Sequence, residues 1–108
     1  MRFWDLREIP TPEGSRSPVV LHSDDEGRVI LIGLEPGQEL GDHQVKEHAF
    51  VAVMDGKAEI TADGATVTAE PGMLFFFDPD ERHSVSTSVG ARLLLLLAPW
   101  PGPGHYRP

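Results

Sequence analysis

A single all-β domain, a sandwich or closed barrel, is the fold this sequence predicts, and three observations carry the prediction. Eleven glycines and ten prolines punctuate the 108 residues at intervals rather than gathering in one linker. The stretches between them are short and rich in Val, Ile, Leu, Phe and Thr, residues that suit a pleated, half-buried surface. No stretch keeps a helical apolar period for three turns without meeting Gly or Pro, so no long helix is expected. The length suits one domain with one core and no staples.

In chain order, eight strands are predicted, over 19–22, 28–34, 43–54, 57–62, 65–70, 73–78, 82–88 and 91–98. Each gap has its own turn chemistry. Asp24-Asp25-Glu26-Gly27 separates the first two strands. Pro36-Gly37 and Pro71-Gly72 suit turns with proline second and glycine third. Asp55-Gly56 and Asp63-Gly64 supply the positive φ angles of tight hairpins. Asp78-Pro79-Asp80 and Val89-Gly90 close the rest.

The strands form a barrel over 19–98, flanked by an N-terminal arm, 1–18, and a Pro/Gly-rich tail, 99–108. The tail can be neither helix nor sheet interior. Both ends are expected to lie on the barrel or on a neighbouring subunit, with disorder the alternative for the last six residues. The segments 73–77 and 93–98 are apolar on both faces. One face can point inward, but the other needs a cover. A second copy of the chain or the terminal arms are the expected cover, and a homodimer is the default expectation.

Composition removes several classes of function. With no cysteine there is no disulfide, thiolate metal site or cysteine nucleophile. A net charge of -8 repels phosphate backbones, which argues against nucleic acid as a partner. No apolar run is long enough to span a bilayer and the N-terminus lacks a signal-peptide layout, so a soluble cytoplasmic protein without membrane association is expected. Neither a phosphate-binding Gly-rich loop nor a G-x-S-x-G elbow is present.

Chemistry then rests on five histidines: His22, His43, His48, His83 and His105. His43 and His83 each follow a Pro-Gly turn and are expected at equivalent strand entrances, converging at one barrel mouth. Around these two residues, over about 18–98, the chain resembles the cupins, small single-domain conserved barrels of the RmlC-like kind. The family's first motif, G-x5-H-x-H-x3,4-E-x6-G, aligns with Gly37, His43 and Gly56. The second, G-x5-P-x-G-x2-H-x3-N, aligns with Gly72 and His83. The resemblance implies a double-stranded β-helix (jelly-roll) barrel that holds a divalent metal through three histidines and a glutamate.

Half of that ligand set is replaced here. Val45 stands at the second histidine position, Ala49 at the glutamate and Thr87 at the asparagine. Asp78 and Asp80 replace the proline and glycine of the second motif. Substitutes are available in Glu47, on the interior parity but off register, and in His48, which points outward unless a bulge near 46–48 turns it in. His43 and His83 with His48 or Glu47 would offer three N/O donors to zinc, nickel, manganese or iron. Asp42 or Asp78 is available to orient an imidazole, or serves only its turn.

Two functions from different classes follow. One is a binding or sensor module for a small, weakly polar molecule, lined by Val45, Ala49, Val51, Phe75 and Phe77, with at most one divalent ion at a degenerate site. The other is a metal-dependent enzyme, a lyase or isomerase rather than a dioxygenase, using His43 and His83 as ligands. Metal-free acid–base catalysis would need the tail, with the single tyrosine Tyr106, folded over the mouth.

Overall fold

A computed structural model describes residues 1–11 and 17–105 of the chain. Tyr106 and parts of both arms lie outside the described residues. Among the described residues there are nine strands: β1 (Val19–Ser23), β2 (Arg28–Leu34), β3 (Glu39–His43), β4 (His48–Gly56), β5 (Ala58–Ala62), β6 (Ala65–Ala69), β7 (Leu74–Phe77), β8 (His83–Ser86) and β9 (Ala91–Ala98). They form two antiparallel sheets, ordered β1-β2-β9-β4-β7 and β3-β8-β5-β6. A single 3-10 turn, Leu6–Glu8, is capped by Asp5. No helix among the described residues is long and apolar enough to cross a membrane.

The turn chemistry mostly acts as the residues predict. Asp63 and Gly64 both take positive φ in the β5–β6 hairpin. Gly37 and Gly72 hold positive φ at the third position of turns closed by Gln38 N–H to Glu35 O and Met73 N–H to Glu70 O. Asp80 takes the same left-handed conformation in the 78–81 turn, the place a glycine would fill more easily.

Two expectations need correction. The strand expected over 43–54 is two strands in different sheets, so His43 ends β3 instead of opening a strand. Asp55-Gly56 does not make a hairpin either; β4 and β5 belong to different sheets, and the chain crosses between them there. Gly56 passes so close to Gly90 that a Cβ would lie 2.0 Å from the Gly90 carbonyl oxygen. The local pattern marked a bend at both places, but which sheet each half joined depended on partners far along the chain.

The core lies between the sheets and follows strand alternation. Ala49, Val51 and Val53 of β4 are buried, while Phe50 and Met54 are exposed. On β7, Phe77 is buried and Phe75 packs on the core, while Leu74 and Phe76 face outward. The N-terminal arm lies on part of the outer face. Arg92 donates to the Ile9 carbonyl, and Thr11 occupies the space where a Gly33 side chain would be. Next to it, Phe50, Ala52, Leu74, Leu94 and Leu96 line an apolar groove of about 260 Å³.

Candidate functional site

His43 and His83 come together at one end of the sandwich. They are register partners on β3 and β8, with ring centroids 4.3 Å apart. A bulge makes this possible. Leu40 pairs with Val85, and His43 pairs with His83 only because the register slips at 41–42. Without the slip, side-chain alternation would send His43 to the face opposite Leu40 and away from the core. The bulge thus falls earlier in the chain than the one entertained near 46–48.

Backbone contacts fix the tautomer of both rings. Each Nδ1 donates to a backbone carbonyl two residues earlier, His43 to Gly41 O at 2.7 Å and His83 to Glu81 O at 3.0 Å. A carbonyl can only accept, so the neutral rings carry their protons on Nδ1 and keep the Nε2 lone pairs. Neither Nε2 has a protein partner among the described residues. The side-chain acceptors expected for this role are not used. Asp42 accepts from the Arg82 guanidinium at 2.9 Å, and Asp78 serves its turn through its backbone.

His83 is buried, stacked on Phe77 at 4.0 Å between centroids with an 8° interplanar angle. Burial holds its pKa below the ordinary imidazole value, helped by repulsion from His43 and opposed by the Glu81 carbonyl bond. Val45 and Phe75 pack on the core, and Ala49, Val51 and Phe77 are buried within it. The residues expected to line a pocket are thus part of the packed core, and among them Phe77 touches the histidine pair through His83.

The other two expected donors lie elsewhere. His48 is exposed on the outer side, its Nδ1 3.3 Å from Ala98 O and its ring near Phe76. Glu47 is fully buried, and its Oε2 accepts from Gly102 N–H at 2.7 Å and His105 Nδ1 at 2.8 Å. Among the described residues no three His, Cys, Asp or Glu side chains gather closely enough to hold a metal ion. The His105 partnership escaped sequence reasoning. Its only sequence signal was a histidine in a tail that also carries Trp100 and Gly102.

The cupin domain profile matches residues 30–97. No curated protein matches the chain. Solved structures resemble it closely in fold at low identity. An RmlC-like cupin protein from Desulfovibrio desulfuricans superposes with a TM-score of 0.80 at 20% identity, covering 92% of this chain and 97% of that one. The TT1209 protein from Thermus thermophilus gives 0.79 at 22% identity, with 92% and 98% covered. A conserved protein of unknown function from Streptococcus pyogenes, SPY1581, gives 0.77 at 23% identity, with 90% and 86% covered.

Proposed function

The chain belongs to the cupin domain family, and from that premise we propose that it is a small-molecule-binding or sensor module whose ligand sits over His43 and His83. One observation carries the reading: two imidazoles with Nδ1 bonded to backbone carbonyls keep Nε2 atoms without protein partners among the described residues, at one end of an apolar barrel. Such a site recognises an apolar molecule bearing hydroxyl or N–H donors, because the Nε2 atoms, without partners among the described residues, accept hydrogen bonds when the rings are neutral. A resident metal does not fit the described side chains alone, since only two nitrogens converge.

A second reading, a divalent ion seated on the two histidines with the remaining donors from water or substrate, is favoured by the same locked tautomers. Imidazoles that bind metal through Nε2 are oriented in this way by acceptors at Nδ1. In this reading the chain is a lyase or isomerase in which the ion acts as Lewis acid. Titrations followed by NMR at the His43 and His83 ring protons separate the two, with phenol and Zn²⁺ as probes. Phenol shifts at both rings, lost in the His43→Ala/His83→Ala variant while the fold persists, support the binding module. Stoichiometric, chelator-reversible Zn²⁺ shifts favour the metal reading. Rings unmoved by either probe rule out this end as the site.

We also propose a homodimer through the outer face of the five-stranded sheet. Its exposed Phe50, Leu74, Phe76 and Leu96 form an apolar surface beside the part that the arm covers. A Phe76→Lys variant should sediment as a monomer while the parent sediments as a dimer. A monomeric parent would end the proposal.

A further inference from the structure

We infer that the C-terminal segment 99–105 is a releasable strap across the histidine end of the barrel, latched by Glu47, and that its release opens the way to His43 and His83. The inference rests on the assignment of that end as the ligand site, and adds a gate to it.

The strap leaves β9 and turns back over the end of the sandwich without pairing as a strand. Trp100 packs on the core, its backbone N–H donating to Asp25 O at 3.4 Å and the Arg28 guanidinium lying 4.6 Å from its ring centroid. Gly102 is buried against the chain that follows β3; a Cβ there would lie 2.5 Å from Lys46 O and 3.1 Å from Glu47 Oε2. Only glycine allows that approach. The Gly102 N–H and the His105 ring then meet the same Glu47 oxygen, and His105 packs edge-on against Trp100.

The strap also adjoins both loops that lead to the histidines. Pro99 and Pro103 share a groove of about 240 Å³ with Lys46, His48, Pro79 and Asp80. The two loops are stitched together where the strap meets them, by Asp80 N–H to Val45 O and by Lys46 Nζ to Asp80 Oδ1, each 2.7 Å. Movement of the strap therefore changes contacts at Asp80, one residue from the Glu81 carbonyl that holds His83, and at Lys46, three residues from His43.

The docked state is also balanced against release. Glu47 Oε1 is buried and meets no donor among the described residues, although carboxylate oxygens in interiors are ordinarily satisfied. Docking buries Trp100, which favours the closed state. It also withdraws Oε1 from water, which opposes it. An element under two opposed terms, held by Trp100 and by one carboxylate without strand pairing, is suited to local opening below global unfolding.

The test uses diethyl pyrocarbonate, which acylates unprotonated imidazole nitrogen, with each histidine followed by mass spectrometry in the full chain. A Trp4→Phe background leaves Trp100 as the sole tryptophan, so acrylamide quenching of its fluorescence reports strap release. In Glu47→Gln and Gly102→Val variants, quenching should rise and the His83 modification rate should increase about tenfold, with His22 as the partly exposed reference. Release of Trp100 with no change at His83 would mean that the strap gates nothing. A Trp100 that stays protected in both variants would mean that Glu47 is not the latch. In the unaltered protein, a His83 rate that is flat at low urea marks local opening, whereas one that follows global unfolding overturns the proposal. The reagent reads access alone, so the phenol and Zn²⁺ titrations stand or fall separately.

Discussion

Buried polar groups sit at both ends of this sandwich, and the two ends spend them differently. At the end away from the histidines, Thr87 is buried and its hydroxyl is fully used. It donates to Lys57 O at 2.6 Å and accepts from Gly90 N–H at 2.8 Å and Val89 N–H at 3.3 Å. Around it the chain closes backbone against backbone at Gly56 and Gly90. At the histidine end, two Nε2 atoms and Glu47 Oε1 are left without protein partners among the described residues. A polar capacity that the protein satisfies itself maintains the fold, and a capacity left over is available to water or to a bound molecule.

The sharpest way to break this contrast is at the closed end. Gly56→Ala should destabilise the domain by about 3 kcal/mol, because a Cβ at positive φ would meet the Gly90 carbonyl and backbone cannot swing aside. Urea denaturation measures the loss, and binding at the histidines should be unaltered once the protein is folded. A smaller effect is expected from Thr87→Val, about 1–3 kcal/mol from the lost bonds to Lys57 O and Gly90 N–H, again with no effect on the histidine rings. Altered phenol or Zn²⁺ titration in either variant would dissolve the distinction between the ends.

The mildest test lies at the histidine end itself and concerns pH. His83 has a depressed pKa in the folded state, so the unfolded chain takes up the proton first as pH falls. The stabilisation it supplies is complete above the unfolded value, near 6.5, and is lost as pH drops from there through the lower native value. His83→Phe keeps a ring stacked on Phe77 and should flatten that part of the stability profile, with little change above neutrality. Urea midpoints across the acid range measure it. An unchanged slope in the variant would show that another group carries the pH dependence.

Much of this was legible in the residues. The all-β class, the Pro-Gly turns, the Asp63-Gly64 hairpin, and the inward Phe75 and Phe77 against the outward Leu74 and Phe76 follow from torsional preference and strand alternation, which act within a few residues. The two matched histidines also came from spacing. Less visible was the 41–42 bulge, since any short polar stretch near a strand end permits one. The role of Glu47 was further from reach: it sits on the interior parity but is taken by a segment more than fifty residues away.

The sequence alone determined the strand-rich character, most of the turns, the cupin motifs and the absence of a full family ligand set, because each depends on residue identity and near-neighbour geometry. Tertiary structure decided that 43–54 divides between two sheets, that His43 turns to face His83, and that Glu47 and His105 meet each other instead of the histidine pair. These are long-range pairings. Their energy comes from partners that local pattern cannot name, so they exist only once the chain has closed on itself.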